Sequence, residues 1–385
     1  MNVPQLRFKG FEEEWESKKI KDLGEIGRGK SKHRPRNDSR LYGVEYPFIQ
    51  TSDIKKAGLF LSSYSQAYSE FGFKQSKLWP KGTLCITIAA NIAETAILDI
   101  EACFPDSIIG FTATSDKSDV VFIKKYFEFI NPTLQKMSEG VAQSNLNLEK
   151  LASINFNVPS LTEQKKVALF FKLIEKKIEL QQEKIEKLEQ FKKGMMQKIF
   201  SQELRFKDED GNAFPEWIET TLENLAEINT GNKDLQDAKE NGIYPFFVRS
   251  QNLQAIDSYS YDGEAILIPG DGNIGQIFHY INGKFDYHQR VYKISDFNAS
   301  AKGKYIYFYL KQFFLKEALK NSVKATVDSL RLPTIKGMHI KLPHIAEQIK
   351  VVQLLTNIDE KIEKEKEKLM VLEEQKRGFM WWMFV

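Results

Sequence analysis

The chain of 385 residues contains little cysteine, little net charge and no long apolar run. Its two cysteines, Cys85 and Cys103, cannot form a disulfide framework, so the sequence predicts a protein of the reducing cytoplasm. A net charge of +3 excludes a strong overall field, so any nucleic-acid surface must be a local basic patch. No segment reaches the roughly 18 apolar residues of a membrane span, and the first residues lack the apolar core of a signal peptide.

Familiar catalytic and metal-binding motifs are also missing. The five histidines are His33, His279, His288, His339 and His344. They show no H-x-x-x-H or H-E-x-x-H spacing, and the chain has no C-x-x-C, no G-x-S-x-G and no Asn/Asp-Pro-Pro-aromatic signature of an amino-methyltransferase. An E-x-K pattern at Glu175–Lys177 resembles part of a nuclease motif. It lies in a segment whose apolar residues have the heptad spacing of a long helix, and we interpret it as part of the solvated face of that helix. The sequence thus predicts a non-catalytic chain without a metal site.

One segment does match a nucleotide-binding motif. Residues Gly24–Ser31, GEIGRGKS, fit G-x-x-x-x-G-K-[ST], in which loop N–H groups and the lysine hold phosphates and the serine holds Mg²⁺. This motif needs a buried strand before it and a helix after it. The preceding WESKKIKDL is charged, and Pro35 disfavours a helix behind the loop. We interpret the match as chance; a P-loop nucleotide hydrolase is the least favoured alternative, and ATP binding that depends on Lys30 would identify it.

The chain also repeats itself. Residues 157–200 align with 341–384 without a gap, at an offset of 184. The matched positions include Pro159 with Pro343, Glu163-Gln164 with Glu347-Gln348, and Gly194 with Gly378. The period is far too long for a solenoid, so we infer a tandem duplication of one domain and one helix. The four predicted segments are domains at 1–160 and 201–343, and helices at 161–200 and 344–385.

The beginnings of the two copies match as well. RFKGFEEEW at 7–15 resembles RFKDEDGNAFPEW at 205–217, and Gly29 corresponds to Gly231. Where the first copy has Gly-Lys-Ser, the second reads AEINTGNK and lacks those residues. The shared element is therefore a structural turn, and the phosphate-loop pattern belongs to the first copy alone. Further matches are Glu25-Ile26 with Glu227-Ile228 and Tyr46-Pro47-Phe48 with Tyr244-Pro245-Phe246.

Both repeated helical segments have apolar residues at heptad spacing, and Thr162 is suited to cap the first. Polar residues interrupt the pattern at matched places, Gln181 with Glu365 and Lys192 with Lys376, which helps to fix the register. Each helix is roughly 55 Å long and needs a partner for its apolar seam. The sequence favours the other helix, in an antiparallel coiled coil, over separate packing of each helix on its own domain. The predicted interface residues are Phe171, Ile174, Ile178, Ile185, Leu188, Met195, Leu355, Ile358, Ile362, Leu369, Leu372 and Phe379.

The domains before the helices are predicted to be mixed, with more strand than helix, so the expected fold class is α+β. Helices are expected at 126–137 and 305–320, and the Gly-rich segment 269–275 is interpreted as tight turns rather than a metal site. The predicted strands are Gly82–Ala89, Glu94–Ile100, Asp119–Lys125, Glu264–Gly270 and Gln289–Ser295. Outside the shared framework the copies differ greatly, which indicates two related but different ligands.

Basic and amide side chains cluster in loops at corresponding places in the two copies. Lysine and arginine on a loop suit phosphate contacts, arginine can bind guanine edges bidentately, and glutamine and asparagine can pair with adenine edges. An ordinary hydrated surface is the simpler interpretation of any single residue, but the recurrence favours a DNA-binding surface. The candidates are Arg28, Lys30, Lys32, Arg34, Arg36, Arg40, Gln143 and Asn145 in the first copy, and Arg249, Gln251, Asn252, Lys324 and Arg331 in the second.

This organisation resembles the specificity subunit of Type I restriction–modification systems, and the similarity covers essentially the whole chain. The motifs that carry it are the Pro-x-x-x-Glu-Gln helix starts at 159–164 and 343–348, the Leu-Glu-x-x-Lys-[Lys/Arg]-Gly runs at 188–194 and 372–378, YPFIQTSDI at 46–54 and the Gly29-x-Ser31 turn. One departure concerns that turn, because the family's usual Gly-Gly-Thr-Pro-Ser reads Arg-Gly-Lys-Ser-Lys at 28–32.

The resemblance implies two target-recognition domains, each reading half of a bipartite DNA target in the major groove, with the antiparallel helices fixing the gap between the halves. Because the two domains differ, we expect an asymmetric target. The implied partners are double-stranded DNA, two methyltransferase subunits that bind S-adenosylmethionine and flip adenine, and restriction subunits that hydrolyse ATP with Mg²⁺; no cofactor is expected in this chain. We expect the methyltransferase subunits to dock on exposed Lys and Glu faces of the helices and on the Met/Phe/Trp cluster at 379–384.

A protein of another class stays open at this point. A coiled-coil scaffold that joins two protein-binding domains would have the same repeat and the same helices. DNA affinity that falls steeply with salt would argue against the scaffold.

Overall fold

The computed structural model describes residues 3–89, 92–139, 146–272, 274–320 and 329–384. The chain divides into two compact units. Unit 1 consists of Met1–Glu183 with Lys366–Val385, and unit 2 of Lys184–Glu365. Each long helix therefore belongs partly to one unit and partly to the other. The predicted segments end where the helices end, whereas the two units divide within the helices.

Unit 1 contains mostly short strands, arranged in two sheets and one separate pair. Its strands are β1 Glu16–Lys19, β2 Gly24–Arg28, β3 Tyr42–Phe48, β4 Phe60–Leu61, β5 Gln66–Tyr68, β6 Leu78–Trp79, β7 Leu84–Thr87, β8 Thr95–Leu98, β9 Ala102–Cys103, β10 Ile108–Ala113 and β11 Asn155–Val158. Its helices are α1 Ile20–Leu23, α2 Thr51–Lys56, α3 Glu70–Phe73, α4 Val120–Glu139, α5 Leu148–Ser153 and the first part of α6 Leu161–Phe200, with a 3₁₀ helix at Ser39–Leu41. The sheet orders are β2-β10-β7-β8-β4 and β5-β3-β9-β6, and β1 pairs antiparallel with β11.

Unit 2 joins the corresponding strands into one six-stranded sheet. Its strands are β12 Ile218–Thr221, β13 Glu227–Thr230, β14 Tyr244–Phe247, β15 Gln254–Ile256, β16 Tyr261–Pro269, β17 His279–Tyr287, β18 Val291–Ser295 and β19 His339–Leu342. Its helices are α7 Gly303–Lys320, α8 Leu332–Lys336 and the first part of α9 Ile345–Met383, with 3₁₀ helices at Leu222–Asn224 and Leu235–Asp237. The sheet order is β13-β18-β16-β17-β14-β15, and β12 pairs antiparallel with β19, as β1 does with β11.

The α+β class is confirmed, and four of the five predicted strands overlap strands of the structure. The strand predicted at Asp119–Lys125 is wrong, because these residues cap and begin helix α4. The Asp119 carboxylate accepts hydrogen bonds from the N–H groups of Val121 and Phe122, as a helix cap does. Burial of one face of α4 outweighs the strand preference of its β-branched residues.

The repeated Glu-Gln motif ties each long helix to the beginning of its own domain. Glu163 is buried and accepts both hydrogen bonds of Arg7, at 2.8 Å each. Glu347 does the same for Arg205, at 3.2 and 2.8 Å. Two parallel N–H···O bonds to a buried carboxylate are strong and directional, so the motif fixes how the first segment of each domain meets its long helix.

The glutamine of the motif makes an equally matched set of bonds. The Gln164 side chain accepts from the N–H of Asp119 and donates to the carbonyls of Lys117 and Pro159. In unit 2, Gln348 accepts from Lys302 and donates to Ser300 and Pro343. Each buried amide therefore joins the start of a long helix to the start of an earlier helix of the same unit, α4 or α7. The helix α6 itself begins at Leu161, where Ser160 Oγ, rather than the expected Thr162, accepts a bond from Glu163 N.

Within each unit, the two long helices run antiparallel and contact one another. In unit 1, Lys376 Nζ lies 2.6 Å from the Glu175 carboxylate, and the rings of Phe170 and Phe379 lie 5.0 Å apart. In unit 2, Lys192 pairs with Asp359 at 2.5 Å and Lys184 with Glu365 at 2.9 Å. Three of the four polar interruptions in the heptad pattern, Lys192, Glu365 and Lys376, thus form ion pairs between the helices, as a register-setting role requires.

The twelve predicted interface residues are all buried or half-buried. They pack against the domain cores as well as against the other long helix. Phe171, Ile178, Ile185, Leu355, Ile358 and Ile362 are buried, and Ile174, Leu188, Met195, Leu369, Leu372 and Phe379 are half-buried. Beside Met195, the neighbouring Met196 is the more buried of the two. Phe171 joins the core of unit 1, so pairing with the other helix and packing on a domain occur together rather than as alternatives.

The ends of the long helices pack into the domain cores at matched places. Phe384, at the end of α9, contacts Phe122 and Tyr126 of α4. Phe200, at the end of α6, contacts Tyr305 and Tyr309 of α7 in the same way. Of the cluster expected to dock a partner, Phe379, Met380, Met383 and Phe384 therefore serve the core of unit 1, and only Trp381 and Trp382 are exposed.

Glu175 is not on a solvated face, contrary to the sequence-based interpretation. Its side chain is 19% exposed and accepts from both Lys125 and Lys376 at 2.6 Å. Burial raises the pKa of Glu175, but the two lysines outweigh that effect and leave the pKa below its usual value. Glu175 of the E-x-K pattern therefore belongs to an ionic cluster with Lys125 and Lys376 in unit 1, whereas Lys177 is exposed.

Candidate nucleic-acid interface

The turn after the first strand of each sheet is built in the same way in the two units. A Cβ atom on Gly29 would clash with the carbonyl oxygens of Phe104 and Pro105, and one on Gly231 would clash with those of Tyr287 and His288. Both glycines therefore let the turn lie directly against the loop between two strands, β9 and β10 in unit 1 or β17 and β18 in unit 2. The prediction of a shared structural turn is confirmed.

This geometry does not form a phosphate-binding loop. Gly24–Arg28 is strand β2, paired antiparallel with β10, and the segment behind it enters a 3₁₀ helix only at Ser39. Ser31, which would have to hold a metal ion, is buried with its Oγ 3.2 Å from the hydroxyl of Tyr68. The chance-match interpretation of GEIGRGKS agrees with these contacts.

In unit 1, two candidate arginines converge on the loop between β9 and β10. Arg36 lies 2.6 Å from the carboxylate of Asp106, and Arg28 Nε donates to the main-chain oxygen of the same residue. Both arginines are exposed, so each guanidinium keeps donors that face solvent. Asp106 was missed by the sequence-based search, which looked for basic and amide residues alone.

The remaining basic candidates of unit 1 surround this cluster without joining it. Lys30 and Lys32 are exposed, and their main-chain N–H groups donate to the carbonyls of Phe104 and Gln75. Arg34 is exposed and donates to the main-chain oxygens of Ser31 and His33. These contacts hold the loop against the sheet while the side-chain charges stay at the surface.

Arg40 is partly neutralised within the same loop. Its guanidinium pairs with Asp38 at 2.7 Å, and His33 Nε2 lies 2.8 Å from the same carboxylate. Hydrogen bonds from Arg40 hold the pKa of Asp38 well below its usual range. The Arg40 guanidinium also lies 5.2 Å from the centroid of the Phe71 ring, so Asp38 and Phe71 together fix its orientation.

In unit 2, two arginines from different loops share one carboxylate oxygen. Arg249 follows β14, Arg290 lies between β17 and β18, and both donate to Asp271 Oδ2, at 3.3 and 2.9 Å. The Asp271 side chain is 19% exposed, whereas those of Arg249 and Arg290 are 45% and 64% exposed. Burial raises the pKa of Asp271, but the bonds from Arg290 and Arg249 outweigh it and lower the pKa.

The buried side chain of His288 helps to position this cluster through a hydrogen bond to the main chain of Arg290. His288 Nδ1 accepts from the N–H of Arg290 at 2.9 Å, so Nε2 carries the proton and faces Asp234 at 3.3 Å. Gln289 also donates to the Asp234 carboxylate, at 2.7 Å. The cluster borders an open concavity of about 610 Å³ lined by Leu235, Val248, Arg249, Ser250, Gln254, Asp271, Gly272 and His288.

The remaining candidates of the two copies lie near the same edge of unit 2 or outside the described residues. Gln251 and Asn252 are exposed on the loop that carries Arg249. Arg331 is exposed one residue after Leu330, whose N–H donates to Gly270 beside Asp271. Gln143, Asn145 and Lys324 lie outside the described residues.

The two arginine clusters occupy corresponding positions but use different residues. The loops 105–108 and 288–291 close with the same bond, from Ile108 N to Pro105 O and from Val291 N to His288 O. Unit 1 places the aspartate on this loop, whereas unit 2 places an arginine there. Aligning these two loops across the repeat would have pointed to Asp106 and Arg290, which a search of each copy alone did not find.

Among the described residues, no three His, Cys, Asp or Glu side chains come together in a way that could hold a metal ion. Within the same ranges, no helix is both long enough and apolar enough to cross a membrane.

Comparison with known proteins agrees with the duplicated architecture. The family described as the Type I restriction modification DNA specificity domain matches residues 12–190 and 215–374. These two matches together cover most of the chain, one in each repeat. The protein belongs to this family of DNA specificity domains.

Individual relatives support the assignment over different lengths. The MjaIX specificity subunit of Methanocaldococcus jannaschii is 26% identical, over 93% of this chain and 90% of its own length. The EcoDI specificity subunit of Escherichia coli is 29% identical, but the match covers only 40% of this chain and 34% of that subunit. The first of these similarities extends through both repeats.

Solved structures show the same fold. The Type I restriction–modification S subunit from M. genitalium superposes with a TM-score of 0.65 at 15% identity, covering 100% of this chain and 99% of the other. A chain from a structure that addresses complex assembly and conformational transition of the Type I system gives a TM-score of 0.60 at 14% identity, covering 96% and 97%.

Proposed function

We propose that this chain is the DNA-recognition subunit of a Type I restriction–modification complex, and that each unit reads one half of an asymmetric bipartite target. The chain itself carries out no catalysis. The long helices set the length of the gap between the half-sites, and the outward faces of the helices dock methyltransferase subunits.

The observation that carries this proposal is the pair of arginine clusters. Each lies against the glycine turn at the same edge of its sheet, with exposed guanidiniums in groups of two. Arginine can pair bidentately with guanine O6 and N7 or with phosphate oxygens. The frame is shared but the clusters are built from different residues, so the two half-sites should differ in sequence.

Exposed apolar residues on the helices of unit 1 support a protein partner there. Leu169, Leu173 and Leu180 lie along one stripe of α6 and are 56%, 63% and 52% exposed. The equivalent positions in α9, at the offset of 184, are Gln353, Asn357 and Lys364. A row of exposed leucines on one helix marks an interaction surface more often than a free one. On α9, the exposed apolar residues of unit 1 are Met370, Val371, Trp381 and Trp382.

The remaining chemistry belongs, in this proposal, to other chains. Two methyltransferase subunits supply S-adenosylmethionine and the adenine-flipping site, and restriction subunits supply ATP hydrolysis with Mg²⁺. This division is consistent with a chain whose ionisable clusters, such as that of Glu175, are occupied in holding the fold together.

The test is adenine-methylation mapping by long-read sequencing. This chain is co-expressed with its cognate methyltransferase subunit in a host that lacks adenine methylation. We expect a bipartite motif with two different halves and a fixed gap, which disappears when this chain is omitted. Methylation that ignores sequence, or none from an assembled complex, would contradict the proposal and favour a scaffold that does not touch DNA.

A further inference from the structure

The aspartate between the two arginines of unit 2 is the feature that the proposed function leaves unexplained. A carboxylate at a surface meant for DNA repels the phosphates and weakens binding. Asp271 nevertheless lies between Arg249 and Arg290 and is the least exposed of the three side chains. Its presence therefore needs a reason other than affinity.

The contacts indicate what the carboxylate does. Without Asp271, two guanidiniums from different loops would repel one another and explore many rotamers, since the long arginine side chain has several rotatable bonds. With it, both Nη1 atoms are held on one oxygen, Oδ2. Each arginine uses one of its five N–H donors for this bond and keeps the others for a ligand.

Main-chain hydrogen bonds fix the backbone next to Asp271, so its carboxylate is an anchor that holds the two arginines at a defined position. Gly270 N donates to Arg290 O at 2.8 Å, and Leu330 N donates to Gly270 O at 2.7 Å. Arg290 N is in turn fixed by His288 at 2.9 Å. The anchor and one of its arginines are therefore joined through both their side chains and their main chains.

We propose that Asp271 is a positioning residue that orients Arg249 and Arg290 toward paired hydrogen-bond acceptors of one half-site, and that lowers affinity for non-target DNA in exchange for discrimination. This inference rests on the proposed function. A fixed guanidinium pair matches acceptors only at set positions, whereas a mobile pair binds any nearby phosphate.

The test uses Asp271→Asn in the complete complex with its methyltransferase subunit. The matched control is Asp262→Asn, which removes the same charge from an exposed position at the opposite end of β16, about 23 Å along the strand from its carboxyl end. Binding is measured to the mapped target, to the target with either half replaced, and to unrelated DNA, each over a series of salt concentrations.

We expect Asp271→Asn to bind unrelated DNA several-fold more tightly and to lose about tenfold of its discrimination at one half-site only. The other half should stay as selective as in the wild type, and Asp262→Asn should leave both halves unchanged. Methylation mapping should show the same one-sided loss as degenerate bases in one half of the motif.

A second variant keeps the test decisive if Asp271→Asn folds poorly. Arg290→Lys retains the charge but loses the planar fork, so it should relax the same half-site without a large change in salt dependence. Asp271→Glu, which keeps the carboxylate, should recover part of the discrimination.

The outcomes separate this inference from the function it rests on. If the wild-type complex gives no bipartite motif, the proposed function itself fails. If the motif is present but Asp271→Asn behaves as Asp262→Asn does, or relaxes both halves equally, the positioning role is overturned and the proposed function stands.

Discussion

The two units surround the same ion pair with different neighbours. Lys376 with Glu175 in unit 1 and Lys192 with Asp359 in unit 2 are equivalent under the repeat offset of 184. In unit 1 the buried Lys125, the sixth residue of α4, joins the pair through a bond to Glu175, whereas the sixth residue of α7 is Phe308, whose ring lies 5.2 Å from Lys192 Nζ.

This difference separates what the duplication keeps from what it varies. The cross-helix ion pair, the Glu-Gln bonds and the glycine turn are the same in both units. The groups behind the ion pair and the arginine clusters at the sheet edge differ. Contacts that set the frame are thus retained, while the surroundings and the surface facing a ligand are free to diverge.

Loss of the buried glutamate should have the largest effect, and it should differ between the units. Glu347→Ala removes the buried carboxylate that pairs with Arg205, which keeps its bonds to the carbonyls of Phe214 and Pro215, and should destabilise unit 2 by about 3–5 kcal/mol. Glu163→Ala should cost less, because Glu347 also accepts from Trp217 Nε1 at 3.1 Å, whereas Trp15 Nε1 has no hydrogen-bond partner among the described residues.

Hydrogen exchange resolved by unit, with chemical unfolding, measures both effects. Glu360→Ala, at an exposed position of α9, is the control for loss of a helical glutamate. An equal cost at the two sites would contradict the assigned role of Trp217.

Removal of Lys125 should have the next largest effect, confined to unit 1. Lys125→Met leaves Glu128 and Glu175 each with one lysine fewer, and we expect a loss of about 2 kcal/mol at neutral pH. Phe308→Leu, at the corresponding place in unit 2, removes no charge and serves as the comparison.

The pH dependence of that loss follows from Glu128. Burial raises the pKa of Glu128, but Lys124 and Lys125 outweigh it and lower the pKa to about 2, from an ordinary value of 4.5. A carboxyl whose pKa is depressed on folding stabilises the protein above its unfolded pKa and loses this contribution as pH falls. Wild-type unit 1 should therefore lose stability as pH falls from about 4.5 toward 2. Lys125→Met should be flatter over that window, and an unchanged profile would show that Lys125 does not set the pKa.

A moderate effect is expected on assembly. Leu173→Glu places a charge in the exposed apolar stripe of unit 1, and we expect methyltransferase binding to weaken about tenfold. Asn357→Glu makes the equivalent change in unit 2, where the position is already polar. Native mass spectrometry of the complex counts bound subunits, and equal losses for the two variants would mean that the apolar stripe is not an interface.

The smallest effect should come from an exposed lysine at the turn of unit 1. Lys30→Ala should lower affinity for all DNA sequences alike and reduce the salt dependence by about one phosphate contact. The methylated motif should stay the same, in contrast to Asp271→Asn. A change of motif would show that Lys30 contacts a base.

The sequence predicted the long helices and their pairing better than it predicted the arginine clusters. Apolar spacing located α6 and α9, since heptad periodicity is a local signal. The polar interruptions Lys192 and Lys376 each form an ion pair with the other helix. The same reasoning failed at Asp119–Lys125, where tertiary burial of α4 overrides strand preference. Arg290 and Asp271 are 19 positions apart in sequence and meet because β18 begins beside the end of β16, where Val291 pairs with Pro269. No local pattern could have indicated their contact.

The presence of Lys366–Val385 in unit 1 has a consequence for synthesis. Phe384 contacts Trp15, Phe122 and Phe171, so the core of the first domain stays open until Phe384 has been translated. All of Lys184–Glu365 is made in between, which takes roughly 10–40 s at about 5–20 residues per second. During that time unit 2 can fold first. A premature stop codon just before Lys366 would therefore damage unit 1, most of which is made earlier, rather than unit 2.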